Sequence, residues 1–189
     1  IYAPNHCGRW HKEPKLRDLV ELIHGDGHEL WTYTCAHNAK HLSPLGYSRG
    51  QMWGCFNEGH TGGGMWTYSS GEKAWHLTTD YSLVYSGVDG PVPSKRWEAV
   101  RDGTEDYSML MALKTAADSP GADPVLAARA RALLAGDVVI VGNYWGLDDD
   151  GVLPGKEGMP AVRKLADRRY AKIVSVRRKM RDILQSFGE

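Results

Sequence analysis

Histidine and cysteine crowd two short stretches of the chain: His6, Cys7 and His11 in one, Cys35, His37 and His41 in the other. Imidazole and thiolate are zinc ligands, and two from each stretch would satisfy a tetrahedral ion. The spacing lacks the short Cys–Cys and His–His hooks of structural zinc sites, so polar histidines beside a cleft are the better reading. No metal and no cofactor is expected. Asp148, Asp149 and Asp150 before Gly151 could open a calcium loop, but the alternating acidic positions and the later bidentate glutamate are missing. A solvated acidic turn is expected there. Paired carboxylates would signal glycosidic chemistry. The acids in the loop regions are Glu58, Glu72, Asp80 and Asp89, and none forms a tandem just after a strand. Glu105 and Asp106 are a tandem inside a helix, where salt bridging is the expected duty. No catalytic residue is assigned from this pattern.

The aromatic residues carry more. The chain has seven Trp and nine Tyr against two Phe. Rings with a polar handle suit surfaces that are apolar and wet at once, such as sugar clefts. Trp31, Tyr33, Trp66 and Tyr68 fall in strand-like segments, and Trp75, Tyr81 and Tyr85 in the loop that follows. Such rings can stack on the apolar face of a pyranose while hydroxyls bind its edge. Core packing competes as an explanation for the strand residues, and less well for Trp75 and Tyr81. The candidate substrate-binding set is therefore Trp31, Tyr33, Trp66, Tyr68, Trp75 and Tyr81.

Composition narrows the partners. At 189 residues, 42% hydrophobic and 24% charged, the chain is long enough for a domain with a real core. A formal net charge of zero argues against nucleic-acid binding through a global basic field. No apolar run is long enough to span a bilayer, so no membrane partner is expected. The opening Ile1-Tyr2-Ala3-Pro4 reads as the interior of a longer or processed polypeptide. Cys7, Cys35 and Cys55 allow one disulfide with a free thiol, or three thiols.

The elements that must position these residues alternate. Leu16 to Ile23 gives a short amphipathic helix, ended by Gly25-Asp26-Gly27. Glu29 to Cys35 reads as a strand with Trp31, Tyr33 and Cys35 on one face and Thr32 and Thr34 on the other. Ser48 can cap a helix through Met52, Trp53 and Phe56, which Gly62-Gly63-Gly64 breaks. Met65 to Ser69 then reads as a second strand, and Ser70–Pro93 as a long loop. Ser94 caps a helix in which Trp97, Val100, Tyr107, Leu110 and Leu113 form an apolar face. Arg96, Glu98, Arg101, Asp102, Glu105 and Asp106 take the other faces, with Arg101 and Glu105 spaced to pair. Gly103 inside this helix predicts that another backbone or a bulky ring passes close by. Pro124 to Leu134 is a further helix, Val138 to Val141 a short strand or buried turn, and 160–187 a long helix. Its apolar stripe is Ala166, Tyr170, Ile173, Val176, Met180, Ile183 or Leu184, and Phe187, with basic, solvated outer faces. Helix–strand alternation at this spacing favours parallel β/α units, whose active sites form at the carboxyl ends of strands. Two strands alone cannot close such a sheet.

The succession Leu30-Trp31-Thr32-Tyr33-Thr34-Cys35, Arg49, Trp53 and Gly64-Met65-Trp66-Thr67-Tyr68-Ser69 resembles the late strands of glycoside hydrolase family 123-like barrels. Tyr85-Ser86-Gly87 and the block from Pro93 to Tyr107 resemble that family's terminal helix motif. The resemblance covers about residues 1–117; 118–189 reads as a helical C-terminal extension. It implies an α/β fold, the C-terminal β/α units of a TIM-type barrel, incomplete here. It implies retaining, substrate-assisted hydrolysis of N-acetylated or related sugars by an adjacent Asp-Glu pair on an earlier strand. No position here matches that pair, so the chemistry is expected upstream, and Trp31, Tyr33, Trp66 and Tyr68 are expected to line the sugar cleft. The expected partners are carbohydrate and the rest of the barrel or another chain, in an extracytoplasmic location. A non-catalytic carbohydrate-binding or assembly piece is the alternative, and a metal-dependent enzyme built on the His/Cys loops is a third.

Overall fold

A computed structural model describes residues 14–34, 44–65, 67–76, 82–142 and 159–188. Helix α1 (Pro14–Gly25) is followed by strand β1 (Trp31–Thr34), a π-helical turn at Pro44–Ser48, helix α2 (Gly50–Asn57) and strand β2 (Gly62–Met65). β1 and β2 pair in parallel, from Trp31 opposite Gly62 to Thr34 opposite Met65. Parallel neighbours need a crossover, and α2 supplies it.

Side chains alternate across β1 as its sequence predicts. Thr32 is buried toward α2, where its hydroxyl lies 3.6 Å from Cys55 Sγ. Trp31 and Tyr33 therefore belong to the face away from α2. The second strand lies earlier than expected, at Gly62–Met65 rather than Met65–Ser69. Its glycines are what the pairing needs. A Cβ on Gly62 would fall 2.5 Å from the Trp31 ring, and one on Gly63 3.0 Å from Cys55 Sγ and Met52 Sδ. Tyr68 thus stands beyond the strand, and Trp66 lies outside the described residues. Ser48 does not cap α2: it belongs to the π-helical turn, and Arg49 holds the cap position with helical backbone and no side-chain cap bond.

The stretch expected as a loop before the long helix has its own structure. A 3₁₀ turn at Gly71–Trp75 leads to a hairpin of β3 (Val84–Gly87) and β4 (Gly90–Pro93), antiparallel about Val88 and Asp89. β4 carries two prolines, Pro91 and Pro93, which suits an edge strand because proline brings no N–H to a ladder.

Helix α3 (Lys95–Asp118) starts where Ser94 Oγ accepts from the N–H groups of Arg96, at 3.1 Å, and Trp97, at 3.4 Å. Its buried stripe is Arg96, Ala99, Gly103, Asp106, Leu110, Leu113 and Ala117. The expected division of faces is corrected here: Trp97 is exposed, while Arg96 and Asp106 point inward. They can do so because each finds partners inside. Gly103 meets its expected neighbour, since a Cβ there would lie 2.7 Å from the Arg49 carbonyl oxygen.

Asp123 accepts from the N–H groups of Val125 and Leu126, both at 2.9 Å, to open α4 (Pro124–Leu133). A π-helical turn (Leu134–Val138) and the short α5 (Val139–Gly142) continue it. The apolar run Val138–Val141, expected as strand or buried turn, is helical, with Val138 and Val141 buried. Helix α6 (Met159–Phe187) completes the described fold and buries Ile173, Val176, Met180 and Ile183, four positions of its expected stripe. These join Trp53, Leu110, Leu113, Ala130, Leu133, Val138 and Val141 in one core. That core links α2 and α3 to α4, α5 and α6 across the boundary expected between 117 and 118. The fold is mixed helix and strand with a helical C-terminal part, and among the described residues each sheet has two strands and neither is closed. No described helix is long and apolar enough to cross a membrane.

Candidate functional site

Exposed rings gather around the hairpin. Trp75, at the end of the 3₁₀ turn, stacks on Tyr85 of β3 with ring centroids 4.7 Å apart and planes inclined by 27°. The Trp75 indole N–H donates to the Ser86 carbonyl at 2.7 Å, which fixes the ring along the strand. Arg96 also holds Tyr85, its Nη2 donating to the phenol oxygen at 2.6 Å. Tyr68 meets Trp97 edge-on at 5.8 Å. The Tyr68 carbonyl accepts from the N–H groups of Leu83 and Val84, so the segment after β2 is tied to the foot of the hairpin. Half of Trp75 (50%) and more than half of Tyr68 (56%) remain exposed. Rings this open, yet held by hydrogen bonds and by one another, are ordered surface rather than core.

A second aromatic face lies on the parallel pair. Trp31 is 41% exposed although its ring rests on the bare backbone of Gly62, and Tyr33 follows two residues on, beside Gly64. Among the candidate residues, then, Trp31 and Tyr33 share one sheet face, while Tyr68 and Trp75 join the hairpin cluster. Trp66 and Tyr81 lie outside the described residues. Tyr85, Trp97 and Arg96 complete the cluster; Tyr85, expected in the loop, stands on β3, and its pairing with Trp75 depends on the hairpin. The dipeptide Asp89-Gly90 was the available signal, since such pairs favour tight hairpins.

Beneath these surfaces is a buried ionic cluster. Arg49 Nε donates to Asp106 Oδ2 at 2.6 Å and its Nη2 to Oδ1 at 2.9 Å, a bidentate pair. Trp53 Nε1 adds a hydrogen bond to Oδ2 at 3.0 Å, and Arg177 Nε of α6 lies 3.3 Å from Oδ1. Asp106 is wholly buried and Arg49 nearly so. Burial opposes the charge on Arg49, but the hydrogen bonds and charge of Asp106 outweigh it and raise the guanidinium's pKa. A carboxylate with four such contacts, from three residues, is saturated and inaccessible; it clamps α2, α3 and α6 together. The expected salt-bridging duty of Asp106 is what the geometry gives, and Glu105 pairs with Arg101 at 3.5 Å and with Arg177 at 3.3 Å.

The other chemistry-bearing groups fall away from the rings. Glu58 sets Oε2 2.8 Å from Nε2 of buried His60, which ties it to a core histidine. Asp89 sits in the hairpin turn, Glu72 is exposed on the 3₁₀ turn, and Asp80 lies outside the described residues. Cys55 is a free, buried thiol, and burial pushes its pKa up to about 11. Cys7, Cys35, His6, His11, His37, His41 and Asp148 to Asp150 lie outside the described residues, and among those described no cluster could hold a metal ion. No protein-family model matches the chain, and no curated protein matches it.

Proposed function

We propose that this chain supplies the closing β/α units of a glycoside hydrolase-like barrel and lines its carbohydrate cleft with aromatic rings. The observation that carries the reading is the β1–α2–β2 unit. It is a parallel pair with its crossover helix on one face and Trp31 and Tyr33 on the other. In a barrel the face away from the helices is the interior, and the strands' carboxyl ends frame the site. Parallel strands are rarely left with an uncovered face, so a pair presenting a half-exposed Trp over glycines favours further strands as its neighbours. On this reading Trp31, Tyr33, Tyr68 and Trp75, together with Trp66 and Tyr81, touch sugar, and the carboxylate pair that cleaves the glycosidic bond is not among this chain's assigned residues. The family resemblance of the block from Pro93 to Tyr107 points the same way, with N-acetylated sugars as the substrate class.

The exposure of Trp75, Tyr68 and Trp97 outside the parallel sheet favours a second reading, a non-catalytic carbohydrate-binding surface. Calorimetric titration with an N-acetylhexosamine oligosaccharide tests what both share. Trp31→Ala and Trp75→Ala should each weaken binding about 5–150-fold, the loss of roughly 1–3 kcal/mol expected for an aromatic anchor. Wild-type affinity in both variants would refute the stacking role. Hydrolysis of the oligosaccharide by the assembled barrel separates the two readings.

A further inference from the structure

A cleft of about 400 Å³ opens between α6, α3 and the start of α2, and among the described residues none of the candidate aromatic residues lines it. Its walls among the described residues are Arg49, Arg177, Arg178 and Arg181, with Met109 and Val174 as the apolar part, and no described carboxylate is among them. Val174, Arg177, Arg178 and Arg181 follow the spacing of one helix face, so the guanidinium groups of α6 converge on the cleft.

We propose that this cleft binds a tetrahedral oxyanion, the phosphate or sulfate group of a small ligand with a short apolar arm. Two of the four guanidinium groups are held in place by the protein itself. Asp106, which is buried and does not line the cleft, fixes Arg49 in a bidentate pair and lies 3.3 Å from Arg177 Nε. Preset guanidinium geometry lowers the ordering cost of recognising an anion. The other two carry charge that the described fold leaves uncommitted. Arg178 makes no ion pair among the described residues. Arg181 has only its chain neighbour Asp182, at 3.8 Å with both side chains largely exposed, an arrangement worth little. Guanidinium presents several donors in a plane and so meets two phosphate or sulfate oxygens at once, which the point charge of an ammonium does not. Met109 and Val174 then offer contact to carbon next to the anionic group.

The test uses the full chain with arginine Nε–Hε signals followed by NMR, ionic strength being held constant with sodium chloride. Inorganic phosphate and inorganic sulfate should shift the Arg177, Arg178 and Arg181 signals saturably. The double substitution Arg178→Ala, Arg181→Ala should weaken that response at least about tenfold, as seen on Arg177, since each tenfold is ~1.4 kcal/mol of lost contact. Its unfolding midpoint should stay that of the wild type, because both side chains are exposed. Shifts no larger than those caused by chloride, or a double variant that binds like the wild type, would overturn the proposal. Propyl phosphate and propyl sulfate identify the source: binding by either ester supports the site and names its group, and binding by neither overturns it.

Discussion

Around Asp106 the molecule buries charge, and around Trp75 it exposes rings. Both reverse the usual preference, and the contrast separates two duties. The Arg49–Asp106 pair is surrounded by α2, α3 and α6, with Trp53 and Arg177 completing the carboxylate's shell. Both Asp106 oxygens are matched and shut off from solvent, so the carboxylate has no capacity left for a ligand and acts as a clamp. Trp75, Tyr85, Tyr68 and Trp97 have hydrogen bonds and ring contacts enough to be fixed, and keep the open surface on which the proposed sugar binding rests. What distinguishes the structural carboxylate from the proposed binding surface here is saturation, not residue type.

Breaking the clamp should have the largest effect. Asp106→Ala strips buried Arg49 of its bidentate partner and leaves it only Asp102, at 3.7 Å, among the described carboxylates, a change that costs about 3–5 kcal/mol for buried pairs. Urea unfolding would measure it, and a loss below ~1 kcal/mol would mean that the cluster is not a clamp. Gly103→Ala comes next. Its methyl would meet the Arg49 backbone, which cannot swing aside as a side chain can, so a loss of about 1–3 kcal/mol is expected in the same assay.

Cys55 sharpens the contrast from the reactive side. Its pKa is raised in the fold, so the folded state holds the thiol proton more tightly than the unfolded chain. That contribution is complete below about pH 9 and is lost as pH rises toward about 11. Mass-spectrometric mapping after iodoacetamide treatment of the native protein at pH 8 should find Cys55 unmodified. The smallest effect belongs to Asp137, whose carboxyl is acidified by hydrogen bonds from Lys172 and Lys179, each at 2.7 Å. Its contribution is present above the ordinary carboxylate pKa, about 4, and is lost as pH falls through the lowered value. Asp137→Asn should cost less than ~1 kcal/mol near neutral pH, and the difference from wild type should vanish in acid melts.

How much of this could be read from residues alone follows from the range of the interactions. Ser94 as a cap, the alternation of Trp31, Thr32 and Tyr33, and the stripe from Ile173 to Ile183 are local patterns, and they hold. Gly103 even announced a close neighbour, though not that Arg49 would be it. The helical face of α3 was misassigned because Arg96 and Asp106 look like surface residues until their partners are known, and Asp106 lies 57 positions from Arg49. β2 was shifted because Gly62, Gly63 and Gly64 carry no side chains from which to read a period; its pairing depends on Trp31 having backbone to lie on. The hairpin was hidden by Pro91 and Pro93, which suggest a break unless the strand is known to be an edge. The candidate rings were legible as a set, but Tyr68 and Trp75 belong with Tyr85 and Trp97 only once the hairpin is folded.

The seven indole N–H signals of the nitrogen-15-labelled chain report on both duties in one NMR spectrum. Titration with an N-acetylhexosamine oligosaccharide should move the Trp31 and Trp75 signals saturably. Trp53, whose N–H is held by Asp106, should stay in place. Still signals from Trp31 and Trp75, or a Trp53 shift as large as theirs, would contradict the division between a saturated clamp and an open aromatic surface.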